Sequence, residues 1–146
     1  VTALVDTNLL VYRFDPRDPP KQAAAIRVLR EGVTAQSLCV PHQAIVEFVS
    51  AVSRPVGVER RPLLAREDAL REAESLLDQF EVLYPTEAVV RLAVRGALAY
   101  GLPWFDAHVW AYAEHYGLSE ILSEGFSDGQ LIGRVRIRNP FSSAAI

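Results

Sequence analysis

Five acidic positions stand out by where they fall: Asp6, Glu47, Asp106, and the pair Glu124 and Asp128. Asp6 ends the apolar run Ala3-Leu4-Val5 and precedes Thr7-Asn8. A carboxylate at the end of a buried segment is costly unless it is paired, hydrogen-bonded or bound to a cation. Glu47 has Gln43, Ala44, Ser50 and Ala51 as its helical neighbours, a small and weakly polar stripe that leaves room for a ligand. Asp106 follows the aromatic pair Trp104-Phe105, and Glu124 and Asp128 lie in Ser123-Glu124-Gly125-Phe126-Ser127-Asp128-Gly129 after an apolar run. Each has an ordinary structural explanation when taken alone. Asp6 and Asp106 suit helix caps, Glu47 suits the wet face of an amphipathic helix, and the 123–129 segment suits a polar turn. Taken together they suggest one site. Clustered carboxylates raise one another's pKa unless a counter-charge is present. A divalent cation supplies that charge, and an all-oxygen donor set favours Mg²⁺ or Mn²⁺. Such ions activate water and steady the leaving oxygen of a phosphodiester.

The elements needed to gather these acids follow from hydrophobic patterning. Residues 2–6 read as a buried strand with Asp6 at its carboxyl end. Thr7 and Asn8 then cap a helix through Leu9, Leu10, Tyr12 and Phe14. The Pro-rich stretch 15–20 is a break, followed by a helix over 21–31 that Gly32 ends. Residues 38–40 read as a second strand closed by Pro41, residues 42–52 as a helix, and residues 53–65 as a loop rich in Arg and Pro. A fourth helix covers 66–80, a strand 80–84, and a helix capped by Thr86 runs to Tyr100. Gly101-Leu102-Pro103 is a turn, Asp106 caps or opens a helix that ends near Gly117, and residues 120–123 form a fourth strand. Residues 134–138 alternate in polarity as an edge strand does. Strands alternate with helices, so the expected class is α/β: one domain over 1–146, with a mostly parallel central sheet flanked by helices. Ligands in such sheets bind beyond the carboxyl ends of the strands.

The 146-residue chain is half hydrophobic, with a formal net charge of −3. This composition supports a packed core and argues against a general nucleic-acid coat, which would be basic. It does not exclude a nuclease, because carboxylates that hold cations count as negative in this sum. No apolar run reaches the ~18 residues of a membrane span. No secretory signal is read at the start, and the single Cys39 cannot form an internal disulfide, so a cytoplasmic protein is expected. His42, His108 and His115 form no catalytic set. A G-x-S-x-G elbow and a Gly-rich phosphate loop are both missing. Arg54, Arg60, Arg61 and Arg66 read as a solvated basic loop that can also reach phosphates. Trp104 and Phe105 are candidates to stack on a base, with core packing expected of at least one.

The motifs in order carry a family resemblance. Val5-Asp6-Thr7-Asn8-Leu9-Leu10-Val11-Tyr12 resembles the opening of PIN-domain proteins of the VapC toxin type. Ala44-Ile45-Val46-Glu47-Phe48 is similar to their second acidic segment, and Trp104-Phe105-Asp106-Ala107-His108-Val109-Trp110-Ala111 to their third. Ile121-Leu122-Ser123-Glu124 through Asp128-Gly129-Gln130 resembles the fourth, and Val135 through Phe141 the tail. The resemblance implies an endoribonuclease dependent on Mg²⁺ or Mn²⁺, the toxin of a toxin–antitoxin pair, with an RNA substrate, a cognate antitoxin and a homodimer. It implies Asp6, Glu47 and Asp106 as the catalytic metal-site acids, with Asn8 and Ser123 orienting carboxylates or waters through hydrogen bonds. The family often has an acid two places after its Ser or Thr, where this chain has Gly125. Glu124 or Asp128 is then the expected substitute, directly or through water. Two other readings stay open: a degenerate PIN domain that binds RNA or protein, and a PIN nuclease of RNA processing.

Overall fold

The computed structural model describes residues 2–142. Val1 and the last four residues, which the sequence reading included in its one domain, lie outside the described residues. The elements are β1 (Ala3–Val5), α1 (Thr7–Tyr12), α2 (Pro19–Ala35), β2 (Leu38–Pro41), α3 (His42–Ser53), α4 (Arg66–Gln79), β3 (Glu81–Leu83), α5 (Glu87–Tyr100), α6 (Trp104–His115), β4 (Glu120–Leu122), β5 (Leu131–Ile132) and β6 (Val135–Arg138). The six strands pair in the order β3-β2-β1-β4-β6-β5, all parallel except the β5–β6 hairpin. The α/β class with a mostly parallel sheet is therefore the observed one.

Strand alternation sends side chains to two separate cores. Leu4, Cys39, Ile121 and Ile137 face α5 and α6, while Ala3, Val5, Val40 and Leu122 face the side of α1 to α4. Covering both faces is what a parallel sheet requires, and it explains why β1 and β2 are apolar at every position. Cys39 is fully buried, as expected, and burial first of all pushes its thiol up to about 12. β1 sits between β2 and β4, so the chain leaves it in opposite directions on either side. This reversal opens a crevice at the carboxyl ends of β1 and β4, the usual ligand position in such sheets.

Several boundaries differ from the sequence reading, each for a local reason. Thr7 and Asn8 do not cap α1; Asp6 is the N-cap, and its side chain accepts from Thr7 N at 2.8 Å. The second helix begins at Pro19, behind the Asp18 cap, because proline suits the first helical turn. Gly32 does not end it. A Cβ there would stand 2.1 Å from Leu38 Cδ1, so Gly32 marks a close approach of helix to strand, and Gln36 in the left-handed region closes the helix. Asp106 does not cap α6: the helix starts at Trp104 behind Pro103, which places Asp106 in its first turn. The 135–138 strand alternates buried and exposed as expected, but it is not the edge. β5 covers it through a two-residue turn with Gly133 at φ 59°. Glycine meets that φ without strain at the first central position of a tight hairpin.

Candidate functional site

Asp6 is placed by β1 and by its capping role, and it is 8% exposed. Its backbone N–H donates to Leu122 O at 3.0 Å, which ties the end of β1 to the end of β4. Its two carboxylate oxygens have different partners. Oδ1 accepts from Thr7 N at 2.8 Å, and Oδ2 accepts from the Ser123 hydroxyl at 2.7 Å. Burial raises the Asp6 pKa. The bonds from Ser123 and Thr7 pull it back, and the negative charges of Asp106 and Glu47 push it up again.

Glu47 reaches the same place from α3. The Thr7 hydroxyl donates to its Oε2 at 2.6 Å, and Gln43 Nε2 donates to its Oε1 at 2.9 Å. Gln43 also reaches Phe105 O at 3.4 Å, linking α3 to the start of α6. There Asp106 sits in the first helical turn, where unpaired N–H groups favour a negative charge. Burial first, then Glu47, raises the Asp106 pKa. Asp6, Glu47 and Asp106 line one open cleft of about 430 Å³, together with Thr7, Asn8, Val11, Tyr12, Asp15, Arg17 and Gly125.

The fourth segment divides its residues. Ser123 is fully buried, and its oxygen is a hub: it donates to Asp6 and accepts from Asn8 Nδ2 at 3.3 Å and Gly125 N at 3.0 Å. Glu124 is not among the residues lining the cleft; it forms an ion pair with Lys21 at 2.8 Å and accepts a hydrogen bond from the Tyr12 hydroxyl. Asp128 is not among the residues lining the cleft. Its oxygens accept from Asn139 N at 2.9 Å and Ser142 Oγ at 3.3 Å, which serves the turn after β6. Asp6, Glu47, Asp106, Asn8 and Ser123 are thus brought together, whereas Glu124 and Asp128 are engaged elsewhere.

The donors present suit a hard divalent cation. Three carboxylates repel across one cleft, and the buried Asn8 Oδ1 has no hydrogen-bond partner among the described residues. No group of three acid, His or Cys side chains among the described residues converges tightly enough to hold an ion unaided. A site of one or two carboxylates completed by water is the ordinary arrangement for Mg²⁺ with phosphate substrates.

Thr7, Gln43, Tyr12, Asp15 and Arg17 were not singled out from the sequence as site residues. Gln43 had a readable signal, since it lies four residues before Glu47 on one helix. Thr7 and Tyr12 had none, because their partners are distant in the chain. The histidines are dispersed, with His42 against Tyr84, His108 against Trp104 and His115 against Tyr116. Trp104 and Phe105 are 50% and 70% exposed beside Asp106, so the core role expected of one of them does not hold.

A family model described as PIN domain matches residues 3–125. No curated protein matches the sequence. Among solved structures, a toxin–antitoxin complex from Klebsiella pneumoniae is similar, with a TM-score of 0.65 at 17% identity over 95% of this chain and 98% of that one. A DNA-bound VapBC from Salmonella typhimurium gives 0.67 at 15% identity over 94% and 97%. VapC20 from Mycobacterium tuberculosis, a sarcin-ricin loop cleaving toxin, gives 0.64 at 15% identity over 92% and 99%. At these identities the likeness speaks to the fold.

Proposed function

The chain belongs to the PIN-domain family, and from that premise we propose that it is a metal-dependent endoribonuclease, the toxin of a toxin–antitoxin pair acting in the cytoplasm. The observation that carries this reading is the convergence of Asp6, Glu47 and Asp106 on one cleft at the carboxyl edge of the sheet. Asp6 and Asp106 would hold Mg²⁺ or Mn²⁺, with Glu47 beside them. When bound, such an ion would make a water acidic enough to lose a proton and serve as the nucleophile, and would supply positive charge for the departing oxygen.

The chain's own residues set up that chemistry. Ser123 and Thr7 each hold one oxygen of Asp6, so its carboxylate is fixed before any ligand arrives. Thr7 and Gln43 do the same for Glu47. Asn8, oriented by its bond to Ser123, brings a buried, unpartnered carbonyl oxygen to the wall of the cleft. Preorganised groups of this kind need no rearrangement as charge develops.

An antitoxin partner is supported by the toxin–antitoxin complexes among the similar structures. A homodimer is supported by the apolar stripe Val90, Val94 and Leu98, which stays exposed along α5. The test is cleavage of a mixed pool of structured RNAs with Mg²⁺, Mn²⁺ or EDTA, comparing wild type with Asp6→Asn. Cleavage that requires metal and is abolished in the variant supports the reading; equal cleavage by the variant removes Asp6 from the mechanism. One observation favours a second reading, a binding module with weak catalysis: Gly125 brings no carboxylate to the cleft and Glu124 is paired with Lys21. Absence of divalent-ion binding by calorimetry would favour it.

A further inference from the structure

The turn between α1 and α2 holds a cation in a fixed pose. Asp15 is buried at 5% exposure. It accepts three hydrogen bonds from Arg17: backbone N to Oδ1 at 3.0 Å, Nε to Oδ1 at 2.8 Å and Nη2 to Oδ2 at 2.7 Å. This fork sets the plane of the guanidinium. The carboxylate end of the pair is buried while the Arg17 side chain is 51% exposed, so the pair shows solvent its positive end. Nη1 makes no hydrogen bond among the described residues. A guanidinium already held in place loses little further freedom when it meets a ligand.

Its position gives the pose a meaning. Arg17 lines the acidic cleft with Asp6, Glu47 and Asp106. It also lines a second groove of about 480 Å³, formed with Pro16, Val56, Gly57, Arg61 and Leu63. Nη1 lies close over Gly57, where an added Cβ would meet it at 3.4 Å. A preset cation therefore stands where the acidic cleft opens into a partly apolar groove. We infer that Arg17 grips a backbone phosphate of the RNA strand next to the one being cut, and that the strand runs from the acidic cleft over Arg17 into the groove along residues 56–63. The proposal rests on the ribonuclease reading. A polyanion entering a cleft of three carboxylates needs a fixed cation beside the metal, and a planar fork matches phosphate geometry. The apolar walls of Pro16, Val56 and Leu63 suit a sugar or base, while Arg61 and Glu59 on the same groove form an ion pair at 3.7 Å, which leaves Arg17 as its preset cation.

The test compares wild type with Arg17→Lys, Arg17→Gln and the double variant Asp15→Asn/Arg17→Gln. The double variant avoids leaving a buried carboxylate unpaired, and melting curves establish which variants fold. Affinity for a short fluorescent single-stranded RNA is measured in EDTA across a salt series, and KM and kcat are measured in Mn²⁺. The expected result is RNA binding weaker by about tenfold or more in the glutamine variants, a salt slope shallower by about one, a raised KM with a smaller change in kcat, and Mn²⁺ binding unchanged by calorimetry. Arg17→Lys keeps the salt slope but recovers only part of the affinity. Unchanged RNA affinity, salt slope and KM in a folded variant overturn the inference. So does loss of binding to a protein partner with RNA affinity intact, which would make Arg17 a protein-docking residue. Wild type that binds RNA through Arg17 but cuts none in either metal would refute the ribonuclease reading alone. Wild type that binds no RNA refutes both.

Discussion

Asp6→Asn should separate the cost of the acidic site from its use. Asparagine keeps the volume of Asp6, and its oxygen can still accept from Thr7 N. It loses one acceptor bond from the Ser123 hydroxyl, a cost of about 1 kcal/mol. Against that, the substitution removes a charge that is 8% exposed and faces two other acids. Without metal, the variant should melt within about 3 °C of wild type, or above it. The pH dependence has a definite sign. Burial raises the Asp6 pKa above 3.8, so the folded state binds more protons than the unfolded one. Metal-free stability must then fall as pH rises from about 3.8 through the raised folded value. Asp106, raised by burial and by Glu47, acts in the same direction. Asp15 acts in the opposite one: Arg17 lowers its pKa, and the stability it contributes is lost below 3.8. Mn²⁺ at ~100 times its dissociation constant adds about 2.7 kcal/mol to wild type, a rise of roughly 8 °C for a chain of this size. The assay is thermal melting of both proteins over a pH series, with Mn²⁺ and with EDTA. An Asp6→Asn protein that keeps the full Mn²⁺ shift would show that Asp6 does not hold the ion. A metal-free variant that melts far below wild type at neutral pH would refute the argument from burial.

Three further changes probe the surroundings of the acids. Ser123→Ala leaves Asn8 Nδ2 and Gly125 N without their acceptor and Asp6 Oδ2 without its donor, so stability should drop by about 1–3 kcal/mol. Asp6 then holds its proton more tightly, and the acid limb of Mn²⁺ binding moves to higher pH; an unmoved limb in calorimetry would deny Ser123 this role. Gly125→Asp has room, since its Cβ meets nothing nearer than Ser123 Oγ at 3.5 Å. It should tighten Mn²⁺ binding in calorimetry while lowering metal-free stability through carboxylate repulsion, and unchanged affinity would disprove the idea that Gly125 limits the site. Gly96→Ala would put a Cβ 2.4 Å from Trp110 Cζ3, between α5 and α6. Overpacking of about 1–3 kcal/mol should exceed the gain in helix propensity of about 1 kcal/mol, so urea unfolding should shift to lower midpoints; a stabilised variant would contradict the close helix contact.

What could be read in the sequence was what depends on near neighbours. The buried strands at 2–6 and 38–40 showed as short apolar runs, and Thr86 capping α5 showed as a polar residue before a periodic segment. The errors came where a contact from elsewhere in the fold decided the outcome. Gly32 looks like a helix end until Leu38 of the adjoining strand is laid against it. Residues 131–132 carry too few side chains to signal a strand, and they become one only because β6 offers a partner. Trp104 and Phe105 look like core residues by type, yet the helix they begin turns them outward beside Asp106.

The same distinction separates the acids. Type and spacing alone do not rank Asp6, Glu47, Asp106, Glu124 and Asp128, because each also has an ordinary structural explanation. The fold ranks them by what each meets. Glu124 meets Lys21, the only lysine in the chain, and the Tyr12 hydroxyl. Asp128 meets a backbone N–H and the Ser142 hydroxyl. Asp15, in the cleft itself, meets Arg17. Asp6 and Glu47 meet neutral donors, the Asp106 carboxylate meets no hydrogen-bond donor, and none of the three has an ion pair among the described residues. Thr7 to Glu47 spans 40 positions and Ser123 to Asp6 spans 117, so only the sheet order brings those partners together. A fold that pairs Asp15 and Glu124 with cations and leaves these three facing one cleft without one retains a charge imbalance that a divalent ion would relieve. That imbalance is why these three carboxylates, rather than the others, are the ones to test.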